Sequence, residues 1–180
     1  SNGGVDFSML MFRARPFNGF LGMIQQAIPG PLDQQKFATL SQSIFDRIDP
    51  ETYAEFLRDN TLDGTPHHRA ILMQMGTGDS EVPNLGTLLH ASVVGLPMLE
   101  PVDTPFHPAL PTASGPLESA LAVYDFRVDP FPSIDPTPAP DGNQVHNGMR
   151  GLTAAMRQVD AFLHPDGAVT NFCDGVCDPE

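Results

Sequence analysis

The hydrophobic pattern of the first third of the chain predicts helices. From Asp33, a helix-capping residue, apolar side chains recur at steps of three and four residues. This spacing predicts one buried stripe, formed by Phe37, Leu40, Ile44, Phe45 and Ile48. Asp49-Pro50 is typical of the cap and first turn of a following helix. The Met- and Phe-rich residues 7–24 fit either core or an apolar cover, so we expect residues 1–61 to form a helical segment resembling a cap or lid.

A different pattern begins after this segment and predicts strands. Residues 69–75 are a nearly continuous apolar run bounded by turn residues, which is typical of a strand buried on both faces of a parallel sheet. A loop over 76–83 precedes a helix from Asn84 to about Val94, which Gly95 ends. A second strand is predicted at 119–126 between two proline-rich passages. A last helix is predicted from 141–143 through Leu163.

The order of strand, loop and helix indicates the α/β class, with a core over residues 62–165 and a tail over 166–180. Gly and Pro together number 35 of 180 residues, which excludes a simple helical bundle. The 9 basic against 22 acidic residues give a net charge of −13, which argues against nucleic acid or an anionic membrane as a partner. No apolar run is long enough for a transmembrane segment, and we expect any export signal to precede Ser1.

Two residues stand where an α/β sheet collects its chemistry, in loops that follow the carboxyl ends of strands. Asp79 follows the first predicted strand, and His146 stands at the start of the helix after the second proline-rich loop. A carboxylate and an imidazole in these positions can form the orienting pair of a Ser-His-Asp triad. The alternatives are that Asp79 caps its own turn and that His146 is a surface or capping group.

The segment from Ile71 to Pro83 resembles the G-x-x-D-x-x-V-P element after the penultimate strand of α/β-hydrolases, here Gly76-Thr77-Gly78-Asp79-Ser80-Glu81-Val82-Pro83. Val145-His146-Asn147 and its helix resemble the final loop and last helix of the same fold. The likeness covers about residues 62–164 and implies that Asp79 is the triad acid and His146 its base, with His107 and His164 as less well-placed substitutes. More narrowly, the segment resembles bacterial secreted lipases and esterases, which implies an ester or acyl-lipid substrate and no cofactor.

The nucleophile of such an enzyme is absent from this sequence. None of the nine serines stands in the G-x-S-x-G pattern of the nucleophile elbow. The resemblance therefore implies the C-terminal half of a serine hydrolase, whose nucleophile lies on an N-terminal portion or partner chain. Two alternatives remain open. Ser1 could be an N-terminal nucleophile of an amidohydrolase, or the chain could be a non-catalytic secreted binding or structural domain.

The two cysteines, Cys173 and Cys177, stand in a glycine-containing turn near the chain end. Two thiolates without a nearby histidine make a zinc site improbable, so we expect no metal. The spacing favours a disulfide if the protein is exported, with two free thiols as the alternative. The pair is the sequence argument for a secreted or periplasmic location.

Overall fold

The computed structural model describes residues 5–103, 110–132 and 135–178. It contains a four-stranded, all-parallel sheet. The strands are β1 (Leu72–Gly76), β2 (Met98–Glu100), β3 (Thr112–Ser114) and β4 (Ala120–Tyr124), and their spatial order is β1-β4-β2-β3. The α/β class predicted from the sequence is therefore confirmed.

The two long strands β1 and β4 lie side by side, with Leu72 opposite Ala120 and Gly76 opposite Tyr124. Side chains of successive residues enter cores on opposite faces of the sheet, as the pleat requires. One core contains Met73, Met75, Leu121 and Val123, and the other contains Ala120, Ala122 and Tyr124. Burial on both faces explains why these strands are continuous apolar runs in the sequence.

In the described residues, one helix follows β1 in sequence and two follow β4. Helix α5 (Asn84–Val94) ends at Gly95, whose φ of 77° is the left-handed conformation of a helix C-cap. The predicted last helix is wrong in extent, because the structure has two, α6 (Val145–Met149) and α7 (Thr153–Phe162). Leu152 between them is extended, and the neighbouring Gly148 and Gly151 weaken helical continuity.

Within the described residues, four α-helices precede the sheet: α1 (Phe7–Arg13), α2 (Asn18–Ala27), α3 (Pro31–Phe45) and α4 (Pro50–Tyr53). Met9, Met11 and Phe12 of α1 are buried, so these residues are core and not an exposed cover. The prediction that the apolar stripe on α3 is buried is wrong, because most of its residues face solvent. Leu40 and Ile44 are each 74% exposed, and Phe37 and Ile48 are also exposed.

Helix α3 packs through a different face, in which Gln34 and Ala38 are buried and Phe45 stacks on Phe7. The small side chain of Ala38 lets α1 and α2 approach closely, since its cluster contains Phe12, Leu21 and Ile24. The helical period was therefore predicted from the sequence, but the buried face was not.

The strands β2 and β3 were not predicted. Each has only three residues, and β3 lies within the proline-rich passage that was predicted to be loop. The tail packs beside the sheet, where Asp125 donates its backbone N–H to the carbonyl of Cys177 at 2.7 Å. Cys173 and Cys177 are joined by a disulfide, with their Cα atoms 5.2 Å apart. Within the described ranges, no helix has the length and apolar character to cross a membrane.

Candidate active site

The loop that carries Asp79 begins where β1 ends. Gly78 has a φ of 80°, a conformation that glycine adopts without strain. The side chain of Asn84, at the start of α5, makes two hydrogen bonds to the backbone of this loop and of the strand end. Its Oδ1 accepts the N–H of Gly78 at 2.7 Å, and its Nδ2 donates to the carbonyl of Gly76 at 2.6 Å. Asn84 therefore ties the loop to the end of the strand.

The two carboxylate oxygens of Asp79 have separate partners. Oδ1 accepts the backbone N–H groups of Glu81 at 2.8 Å and Val82 at 3.0 Å, which is a local Asx turn. Oδ2 lies 3.0 Å from Nδ1 of His146. The capping role and the role as partner of His146 are thus compatible, because each uses a different oxygen. The Asp79 side chain is 0% exposed, so its orientation is set by these contacts.

His146 lies in the first turn of α6, which packs against β1. Its second ring nitrogen, Nε2, lies 3.0 Å from a terminal nitrogen of Arg150, one helical turn further on. A guanidinium can only donate, so Nε2 accepts this hydrogen bond and the proton of the neutral ring resides on Nδ1. Nδ1–H then donates to Asp79. This tautomer leaves Nε2 as the nitrogen that can accept a proton from a substrate or nucleophile.

A second set of contacts joins the loop of Asp79 to the segment before His146. Asn143 donates from Nδ2 to the carbonyl of Gly78 at 2.7 Å. Its Oδ1 accepts the backbone N–H of Val145 at 3.2 Å, and its own N–H donates to the Oγ of Ser80 at 3.2 Å. Ser80 is 1% exposed. The relative position of Asp79 and His146 is therefore held by a partly buried polar connection next to them.

The hydrogen-bond partners of the His146 ring are Asp79 and Arg150, among the residues that the structure describes. No hydroxyl or thiol within the same residues takes the place of a nucleophile. A groove of about 220 Å³ adjoins Arg150 and is bordered by α6, α7 and Gln74 of β1. No group of three or more potential metal ligands occurs within the described ranges. The site can orient an imidazole and move a proton at Nε2.

The sequence placed Asp79 and His146 near one another, and the structure brings them into contact. Sequence reasoning missed Asn84, Asn143, Ser80 and Arg150. The four-residue step from His146 to Arg150 on a helix is a signal for their contact, whereas the position of Asn143 shows only a helix-capping residue. Of the alternative residues, His164 is exposed just beyond α7. His107 and Ser1 lie outside the described residues.

The chain was compared with models of protein families, with curated proteins and with solved structures. No match to this chain was found in any of the three comparisons.

Proposed function

We propose that this chain is the C-terminal portion of an α/β-hydrolase and supplies the acid and base of a Ser-His-Asp triad for carboxylic ester hydrolysis. The observation that carries the proposal is the contact between Nδ1 of His146 and the buried carboxylate of Asp79 at 3.0 Å. The two residues follow neighbouring parallel strands, β1 and β4, at the same end of the sheet. Their order, acid before histidine, is that of α/β-hydrolases.

In the proposed reaction, a serine outside these 180 residues attacks the ester carbonyl while Nε2 of His146 takes its proton. Asp79 holds the ring in the tautomer with the proton on Nδ1 and stabilises the imidazolium that forms. The imidazolium then gives the proton to the leaving alcohol. Water attacks the acyl-enzyme in a second round, in which His146 is again first base and then acid. The net change is hydrolysis of one ester to an acid and an alcohol.

The substrate class in this proposal is an apolar ester such as an acyl lipid, on the strength of the resemblance to lipases and esterases. The disulfide between Cys173 and Cys177 supports a secreted location, because such bonds persist in oxidising compartments. The net charge of −13 gives no attraction to polyanionic substrates.

The alternative from another class is a non-catalytic secreted binding or structural domain. It is favoured if no polypeptide with a reactive serine accompanies these residues in the natural protein. The amidohydrolase alternative requires Ser1 as the nucleophile and assigns no role to the Asp79 loop.

The test uses the natural protein or complex that contains these residues. We expect Asp79→Asn to lower the turnover of p-nitrophenyl butyrate by roughly 10³- to 10⁴-fold and His146→Ala by at least as much. A fluorophosphonate probe should label a serine outside residues 1–180. The matched control is Asp59→Asn, which alters the exposed pair of Asp59 and His68, 2.6 Å apart. Full activity in either site variant contradicts the assignment.

A further inference from the structure

The two edges of the parallel sheet differ in kind. Edge strand β3 has three residues, two of them exposed, which is how natural proteins keep a sheet edge from pairing. Edge strand β1 has five residues, of which four are buried, and its sequence Leu-Met-Gln-Met-Gly contains no charge and no proline. In composition and burial β1 is typical of a central strand, although it lies at an edge of the sheet that the structure describes.

The hydrogen-bond register shows which backbone groups of β1 face outwards. Ile71 accepts from the N–H of Ala120, and Thr77 donates to the carbonyl of Tyr124. Alternate residues of a parallel strand direct both backbone groups to the same neighbour, so Leu72 and Gln74 point theirs away from β4. In the part of the chain that the structure describes, β1 pairs with β4 alone, and no loop or helix backbone bonds to Leu72 or Gln74. Gln74 is only 6% exposed, and a buried backbone group without a partner is costly.

An apolar surface continues from this edge onto helix α7. Met156, Val159 and Leu163 form a stripe at steps of three and four residues and are 51%, 38% and 73% exposed. The groove of about 220 Å³ connects the stripe to the edge, because its lining includes Gln74 of β1 together with Met156 and Val159. At its other end the groove reaches Arg150, whose guanidinium donates to Nε2 of His146.

We propose that the β1 edge and the α7 stripe together are the docking surface for the polypeptide that carries the nucleophile, which adds a parallel strand to Leu72 and Gln74 and an apolar face to Met156 and Val159. The proposal rests on the proposed function for the identity of this polypeptide. A strand suits the edge because its N–H and C=O groups complement those of Leu72 and Gln74. The parallel direction matches the rest of the sheet, in which β1 is contacted by α5 on one face and by α6 and α7 on the other.

The direction of the added strand has a chemical consequence. The carboxyl ends of parallel strands lie at the same end of a sheet. The carboxyl end of the docked strand therefore lies beside Asp79 and His146. A nucleophile in a loop of that polypeptide then approaches Nε2 from the groove side, where Arg150 stands in this structure. Docking therefore exchanges the hydrogen bond from Arg150 for one from the nucleophile hydroxyl.

The experiment measures amide hydrogen exchange in the natural protein or complex. We expect the amides of Leu72 and Gln74 to exchange within about tenfold of those of Met73 and Met75, which face β4. Outward amides that exchange at least a hundredfold faster than Met73 and Met75 overturn the proposal, because the edge is then free. The double variant Met156→Asp with Val159→Asp should speed exchange at Leu72 and Gln74 at least tenfold while Met73 and Met75 stay protected. The control Thr153→Asp, exposed on the same helix, should change neither pair.

A photo-crosslinking residue in place of Met156 identifies the occupant. Crosslinking to a polypeptide outside residues 1–180 supports the docking surface, whereas crosslinking to a second copy of these residues, or to none, overturns it. The fluorophosphonate probe tests the function separately. If the crosslinked polypeptide carries no reactive serine, the docking surface stands and the proposed hydrolase function fails.

Discussion

The Nδ1 atom of His146 lies 3.0 Å from Oδ2 of Asp79, whose other oxygen is held by two backbone N–H groups of its own loop. One carboxylate therefore organises its turn and orients an imidazole at once. The contacts in the Asx turn are therefore compatible with the proposed role of Asp79 as the acid of a catalytic pair.

The first prediction concerns the tautomer of His146. In Asp79→Asn, an amide nitrogen can face Nδ1 and donate to it, so the fraction of ring with the proton on Nδ1 should fall. The measurement is the pair of ring ¹⁵N chemical shifts in histidine-labelled protein. Asp59→Asn, which removes the charge next to His68, should leave the His146 shifts where they are. Unchanged His146 shifts in Asp79→Asn count against the hydrogen bond.

The second prediction concerns the connection between the two loops. Asn143→Ala removes the hydrogen bond from Nδ2 to the carbonyl of Gly78 and the one that the Ser80 hydroxyl donates to Oδ1, while the backbone N–H of residue 143 still donates to Ser80. We expect the free energy of unfolding to fall by about 1–3 kcal/mol, since buried polar groups lose their partners. Under the proposed hydrolase function, the substitution in the natural protein should lower kcat for ester hydrolysis by a larger factor than it raises KM, because Asp79 and His146 are no longer held in register. Urea denaturation and steady-state kinetics measure the two effects. A variant with wild-type stability and kcat would show that Asn143 does not position the pair.

The third prediction tests the turn that precedes Asp79. In Gly78→Ala the new Cβ would lie 2.7 Å from Cγ2 of Val128, and the residue would have to keep a φ of 80°. Strain and overpacking together should cost about 2–5 kcal/mol of unfolding free energy. Gly22→Ala is the matched control, because it lies within α2 with nothing within 4 Å of the added Cβ. It should stabilise the helix by about 0.5–1 kcal/mol, as thermal denaturation can measure. Equal effects of the two substitutions would refute the steric argument.

The fourth prediction concerns Asp49, which joins α1 to α3 and α4. Burial by itself raises the pKa of this carboxyl, but hydrogen bonds from the N–H of Glu51, from Gln42 and from the N–H groups of Phe7 and Asp6 outweigh it and lower the pKa below its usual value. Asp49→Asn turns an acceptor into a donor opposite two of these groups, and we expect a loss of about 2–4 kcal/mol at neutral pH.

The sign of the pH dependence follows from the lowered pKa. The stabilisation is present above the unfolded-state pKa of about 4 and is lost as the pH falls through the lower pKa of the folded state. The difference in unfolding free energy between wild type and Asp49→Asn should therefore narrow as the pH falls below about 4. Asp33→Asn is the control, since its pair with Lys36 is exposed, and it should cost no more than about 1 kcal/mol. A difference in unfolding free energy between wild type and Asp49→Asn that stays constant with pH would contradict the role of the Asp49 charge.

Much of the fold could be predicted because the signals are local. The apolar run before Gly76 predicts a buried parallel strand, and Asn84 and Gly95 mark the bounds of the helix that follows. The short strands β2 and β3 could not be predicted, since three residues are too few to show a period and their pairing depends on distant partners. The buried face of α3 was predicted wrongly, because the helical spacing of apolar residues does not show which face of the helix packs against its neighbours. Here Ala38, and not Leu40 or Ile44, meets α1 and α2.

The candidate site divides in the same way. The sequence by itself determined that Asp79 and His146 follow strands of an α/β sheet and that no serine stands in a nucleophile elbow, because these are properties of short segments. Only the tertiary structure decided that the two side chains meet across 67 positions, that Arg150 donates to Nε2, and that β1 lies at an edge of the sheet formed by the described residues. Contacts of this kind depend on how β1 and β4 are placed next to each other, which is set by packing over the whole sheet and not by any local pattern.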